Sequence, residues 1–274
     1  MIHSFLMIGQ SNMAGRGEIG DVERIGNPHL KMLRNGRWQR MLSPVNPDRV
    51  FAGVSLAESF ADAYQRDHGV EVGLIPCADG GTRIDQWKEG SLLFDHAVLQ
   101  ARLAERTSTI AGVLWHQGES DCMPGLAEEY PEKLEAFYAA LTRALGLENV
   151  PFIVGELGDF LSELETERHY YREINRRIRA FAAAHPMTAL ASAENLAGKP
   201  DHLHFTARSL REFGLRYYAA FRTVEPKDRV FEEKPNEDDA LLYSDLEISE
   251  KQLEQGKTKE ARGALRSVRK KYDL

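Results

Sequence analysis

A chain of 274 residues, 42% of them hydrophobic, is long enough to bury a sizeable core without disulfides or a metal. Its formal net charge of −7, with acids and bases mixed along its length, offers no basic footprint for nucleic acid or for an anionic membrane surface. The two cysteines, Cys77 and Cys122, are far apart and lack the spacing of a zinc site, so neither a metal nor a disulfide framework is expected.

The first residues carry no positively charged segment ahead of a cleavable apolar core, and no run approaches the roughly 20 apolar residues that span a bilayer. A soluble, cytoplasmic protein is the expectation. The chain opens on an apolar run, Ile2 to Ile8, interrupted only by His3 and Ser4, which leads into Gly9-Gln10-Ser11-Asn12-Met13-Ala14-Gly15. A short strand running into a glycine, a serine and a second glycine suits a tight strand-to-helix turn that exposes one hydroxyl. Ser11 is the candidate nucleophile. A serine hydroxyl needs a histidine base, a carboxylate to orient that base and donors for an oxyanion, so the rest of the chain must supply them.

Asn27 to Asp48, with its prolines and an Asn35-Gly36 turn signal, reads as a long polar excursion holding a small hairpin. Four further apolar runs follow, at Val70 to Pro76, Ile110 to Trp115, Pro151 to Leu157 and Thr188 to Ala193. Between and after them come segments of helical spacing, at Val54 to His68, Phe94 to Arg106, Ala127 to Leu145, Glu165 to His185 and Ala207 to Phe221. Near-continuous apolar strands alternating with amphipathic helices predict an α/β protein, a three-layer α/β/α sandwich on a five-stranded parallel sheet. Residues 1–222 form its domain. Residues 223–240 are charged and proline-bearing and read as a linker, and 241–274 as one or two amphipathic helices too short to fold alone. Those helices are expected to pack on the domain or to mediate oligomerisation.

Polar residues at the carboxyl ends of parallel strands converge on one crevice even when far apart in sequence. Gly80-Gly81-Thr82-Arg83 after the second run suits backbone N–H groups aimed at an oxyanion, with a plain turn as the alternative. After the third comes His116-Gln117-Gly118-Glu119-Ser120, where the Gln117 amide is a neutral donor and Glu119 either accepts from a base or joins a structural hydrogen-bond network. Asp201-His202-Leu203-His204 precedes a helix that Thr206 can cap; an Asp three residues before a His can turn back to hold Nδ1–H and leave Nε2 free, which favours His204 over His202 as the base.

Together these four blocks resemble the SGNH hydrolase superfamily. Within it they are most similar to the sialate O-acetylesterase or carbohydrate esterase family 6-like, acetylxylan esterase-like branch, over about residues 1 to 222. The resemblance implies a flavodoxin-like fold, no metal or other cofactor, and hydrolysis of acetyl esters on a small sugar or oligosaccharide of the xylan or sialic acid type. It implies Ser11 as nucleophile, the N–H groups of Ser11 and Gly81 with the Gln117 amide as oxyanion donors, and His204 oriented by Asp201. The His-Gln-Gly-Glu form departs from the superfamily's usual Gly-x-Asn-Asp, leaving open whether Glu119 supports or replaces Asp201. Asn12 and Glu119 are candidate supports, and Arg83 and Trp87 candidate substrate contacts. Two other readings compete: an acyl thioesterase or lipid esterase on the same scaffold, which the polar 27–48 segment disfavours, and a non-catalytic carbohydrate-binding or interaction protein.

Overall fold

A computed structural model describes residues 1–164 and 170–227. The expected linker beyond 227 and the helices at 241–274 lie outside the described residues, as do the first five residues of the segment Glu165 to His185. The helices are α1 (Ser11–Ala14), α2 (Leu56–His68), α3 (Leu92–Ala104), α4 (Leu126–Leu145), α5 (Tyr171–Ala184) and α6 (Ala207–Val224). The strands are β1 (Ile2–Gly9), β2 (Leu30–Arg34), β3 (Arg37–Arg40), β4 (Glu71–Pro76), β5 (Thr109–His116), β6 (Phe152–Gly155) and β7 (Thr188–Ala191), in the sheet order β3-β2-β4-β1-β5-β6-β7.

The α/β/α class holds, but the sheet has seven strands rather than five. The two extra strands come from the excursion after Asn27. Leu30, Met32 and Leu33 are buried, so β2 contributes to the core and pairs in parallel with β4. β3 folds back antiparallel through Asn35 and Gly36, whose φ angles of 53° and 72° are the left-handed pair a two-residue hairpin requires. Charged Arg37 and Arg40 keep this edge strand from templating another chain.

β1 lies at the centre, its residues Phe5 to Ile8 fully buried, because both faces of a parallel sheet are covered by helices. α2 and α6 pack together over one face; α3, α4 and α5 follow one another over the other. The helix starts are built locally: Ser55 accepts the Ala57 N–H while Glu58 accepts the Ser55 N–H at 3.1 Å, a capping box, and the Thr206 hydroxyl accepts the Ser209 N–H at 3.1 Å. The chain steps from β4 over β1 to β5, so the crevice at the carboxyl ends of β4, β1 and β5 is the topological switch point. Glycine-rich or polar turns leave all three strands there. Among the described residues no helix is long and apolar enough to cross a membrane.

Phe5 of β1 packs edge-on against Phe60, Tyr64 and Phe221, with ring centroids 4.8, 4.7 and 5.7 Å away. This cluster joins the central strand to both helices of one layer. Phe5→Ala should therefore lower unfolding stability by about 3–5 kcal/mol in chemical denaturation.

Candidate active site

The turn that carries Ser11 is dictated by a close approach. Gly9 lies against the His116 carbonyl with φ of 128°, and a Cβ at this position would overlap that carbonyl. Gln10 N–H then donates to the same carbonyl at 2.9 Å, and α1 begins at once at Ser11. The serine is nearly buried, with its hydroxyl 3.0 Å from His204 Nε2. On the far side of the imidazole, Nδ1 lies 2.8 Å from Asp201 Oδ2, while Asp201 Oδ1 accepts the N–H groups of Leu203 and His204, both at 2.9 Å. Nδ1–H donated to Asp201 leaves Nε2 to accept from the Ser11 hydroxyl. Partial burial pushes the Asp201 carboxyl up, but its hydrogen bonds from the His204 side chain and from the two backbone N–H groups outweigh this and hold it below the ordinary carboxylate range. His202 turns away with φ of 50°, its Nδ1 lying 3.2 Å from Glu163.

Glu119 does not replace Asp201. Its Oε1 lies 3.1 Å from His116 Nε2 and accepts from Asn12 Nδ2 at 2.6 Å. Burial pushes the Glu119 carboxyl up, yet His116 and the hydrogen bond from Asn12 leave it lowered, a paired carboxylate. Asn12, itself buried, spends its remaining capacity on the loop that carries His204: Nδ2 donates to Leu203 O at 3.1 Å and Oδ1 accepts Phe205 N–H at 3.1 Å. The two neighbours of His204 are thus held by the residue next to Ser11.

The opposite wall comes from the turn after β4. Gly80 packs against Ser11, its N–H donating to Asp48 Oδ2 at 2.9 Å, and Asp48 pairs bidentately with buried Arg16 at 2.6 and 3.0 Å. Among the described residues nothing accepts the N–H of Ser11 or of Gly81. Both remain available to a ligand oxygen. Gln117 does not: its amide nitrogen already faces Gln10 Oε1, Thr82 O and Asp121 Oδ2 at 3.1, 3.0 and 2.6 Å, and the residue is fully buried. With two N–H groups set among three acceptors, Gln117 braces the Thr82 turn instead of presenting an open donor, a correction to the expected oxyanion set.

Trp87 is also corrected. A 3₁₀ turn over Ile84–Trp87 rolls its ring inward, where it is fully buried against Trp115 and donates from Nε1 to Thr82 Oγ1 at 3.1 Å, so it cannot meet a substrate. Arg83 is exposed at the start of that turn. Sequence reasoning missed Arg16, Asp48 and Asp121, since nothing local signals that their partners lie far along the chain: Asp48 for Arg16, the Gly80 N–H for Asp48 and the Ile84 N–H for Asp121. A cleft of about 510 Å³ opens beside His204 and Asp201, between the segments 16–20 and 50–53. Among the described residues no cluster of three or more His, Cys, Asp or Glu could hold a metal ion.

A parallel sheet with its polar turns gathered at the switch point, and Ser, His and Asp in hydrogen-bonded sequence there, define the class: the chain has the SGNH-like hydrolase fold. A family described as carbohydrate esterase, sialic acid-specific acetylesterase, matches residues 1–223, and the chain belongs to that family. It is similar to a probable carbohydrate esterase of Arabidopsis thaliana, At4g34215, at 27% identity over 79% of this chain and 89% of the relative. The X-ray structure of that Arabidopsis thaliana protein superposes with a TM-score of 0.73 at 25% identity, covering 82% of this chain and 99% of the other. NanS shares the fold at a TM-score of 0.64 and 17% identity, over 81% of this chain and 97% of its own. So does the carbohydrate acetylesterase XAC1771 of Xanthomonas citri, at 0.63 and 21%, although this chain, matched over 81% of its length, spans 56% of that protein.

Asn12→Ala removes the brace on both sides of His204, and kcat for ester hydrolysis should fall about 10²-fold with an unchanged near-UV circular dichroism spectrum, the effect of misplacing a reacting group by about an ångström. Asp121 is pushed up to about 6 by burial, against hydrogen bonds from Gln117 and from the Ile84 N–H. Because its folded pKa lies above the unfolded one, its contribution favours the native state at low pH and is lost as pH rises from about 4 to 6, on the order of 3 kcal/mol. Asp121→Asn should abolish this loss, making the variant more resistant to urea than the parent at pH 8 but not at pH 4.

Proposed function

We propose that the protein is a serine esterase that removes O-acetyl groups from carbohydrates, of the acetylated xylo-oligosaccharide or sialic acid type, through an acetyl-serine intermediate. The observation that carries this reading is the continuous line Ser11 Oγ, His204 Nε2, His204 Nδ1, Asp201 Oδ2, with spacings of 3.0 and 2.8 Å at its two hydrogen bonds. Membership of a carbohydrate esterase family supports the substrate class.

Each part has one task. His204 Nε2 takes the Ser11 proton as Oγ attacks the acetyl carbonyl, and Asp201 steadies the imidazolium that forms. The N–H groups of Ser11 and Gly81 receive the negative charge that develops on the carbonyl oxygen. As the tetrahedral intermediate collapses, the bond to the sugar oxygen breaks and that oxygen leaves with the proton from His204. A water molecule then gives a proton to His204 and attacks the acetyl-serine, and the Ser11–acetyl bond breaks to release acetate while Ser11 recovers the proton. The buried ion pair Arg16–Asp48 holds Gly80, next to one oxyanion donor, at a fixed distance from the serine.

A lipid esterase or long-chain thioesterase would place a long apolar wall beside the serine. The cleft next to His204 instead sets Arg16, Glu18, Lys199 and Asp201 beside a few apolar side chains, Ile19, Val50 and Phe51, a mixed lining that supports a hydrophilic substrate. The wild type should hydrolyse p-nitrophenyl acetate faster than longer acyl chains, and Ser11→Ala should lose at least about a thousandfold in kcat. Equal activity in the two proteins would reject the esterase reading, as would a serine-reactive organophosphate located by mass spectrometry on any serine other than Ser11.

A further inference from the structure

The cleft beside His204 has one wall that no hydrogen bond of the catalytic line explains. Phe51 stands on it with 66% of its surface exposed, next to a fully exposed Val50, and Ile19 is 49% exposed on the facing segment. A large aromatic left open in a concave wall leaves apolar surface in water until something covers it. One side of its ring is already occupied, since the Arg16 guanidinium lies 5.3 Å from the ring centroid. The backbone beneath it is pinned: Gly53 N–H donates to Gly15 O at 3.0 Å, Val54 N–H to Gly17 O at 2.8 Å, and Ala52 N–H to Arg49 O at 3.0 Å. Gly53 is required there, because a Cβ would overlap the Gly17 carbonyl. Phe51 is therefore a preorganised flat surface at the mouth of the site.

The charges of the same cleft are matched. Arg16 is held bidentately by Asp48, and Lys199 Nζ donates to Glu18 Oε1 at 2.7 Å and to Arg16 O at 3.0 Å. Among the described residues the Lys and Arg side chains lining the cleft are these two, set against Glu18, Asp201 and the Asp48 behind Arg16. Exposed Arg83 does not line it. A carboxylate entering here would meet no unmatched cation and would lie near Asp201, a repulsion that strengthens as water is expelled.

We propose that this cleft is the subsite for the sugar ring that bears the acetyl group, that Phe51 is the platform on which the ring's apolar face stacks, and that the site consequently selects neutral pyranosides over sugars carrying a carboxylate. The proposal rests on the esterase reading of Ser11 and adds to it a specificity residue and a substrate class. It differs from what the family's sialic acid-specific description would suggest, because a sialic acid carries a carboxylate.

The test measures steady-state kinetics with an O-acetylated methyl β-xyloside, 9-O-acetyl-neuraminic acid and ethyl acetate. The wild type is expected to favour the xyloside over the acidic sugar by at least about tenfold in kcat/KM. Phe51→Ala is expected to raise KM for the xyloside about tenfold more than KM for ethyl acetate, the scale of one buried aromatic face, and Phe51→Trp to restore it. Equal or better turnover of the acidic sugar overturns the proposal, as does an Ala variant whose KM values shift alike for the xyloside and ethyl acetate. Hydrolysis of ethyl acetate by the wild type with no such discrimination rejects the subsite alone, whereas a wild type that cleaves none of the three esters rejects the esterase reading with it.

Discussion

A single buried amide ties the two ends of the domain together. Asn12 follows Ser11 directly, yet every polar atom of its side chain is spent on residues more than a hundred positions away: Glu119, Leu203 and Phe205. A serine and a histidine 193 residues apart stay within proton-transfer distance only if both are fixed to the same rigid body, and α1 with β1 is that body. Glu119 holds the amide nitrogen and His116 holds Glu119, so orientation is handed down from β5, beneath β1's own carboxyl end. His204 stands on a loop, and this chain of buried hydrogen bonds gives that loop the stiffness of the sheet.

The wall formed by the glycine turn is built on a costlier principle. Desolvating Arg16 and Asp48 is expensive, and a buried ion pair by itself is weak grounds for stability. Here the pair has a second employment, since the carboxylate of Asp48 also accepts the Gly80 N–H and so fixes the turn that carries Gly81. The same guanidinium lies over the Phe51 ring. One buried charge thereby coordinates the segment after Ser11, the glycine turn and the apolar wall of the cleft.

Tension is concentrated beneath that turn. Gln117 Oε1, Glu119 Oε2 and Asp121 Oδ1 are buried without a protein partner among the described residues, and Asp121 has its carboxyl pushed up to about 6. Fully apolar packing would be more stable there, so the unpaired acceptors mark where stability yields to the placement of Thr82, Gly81 and Ser11. The rest of the fold, from the aromatic cluster around Phe5 to the capped helices, obeys the ordinary rules of patterning and burial.

What the sequence by itself determined were features whose causes are local. Apolar runs set β1 and β4 to β7, helical spacing set the helices, Gly9 and Ser11 marked the tight turn, and the Asp201-x-x-His204 spacing set a pair that folds within four residues. The parallel order of those strands then forces their polar ends into one crevice, which is why the meeting of Ser11, His204 and Asp201 follows from the sequence pattern. Only the tertiary structure decided which way a side chain faces when its partners are distant. Gln117 turned inward because Gln10, Thr82 and Asp121 surround it, Trp87 because Trp115 waits beneath the turn, and the 27–48 segment added two strands because β4 presented a free edge. None of these contacts leaves a trace in local periodicity, since each depends on surfaces that exist only after the sheet has formed.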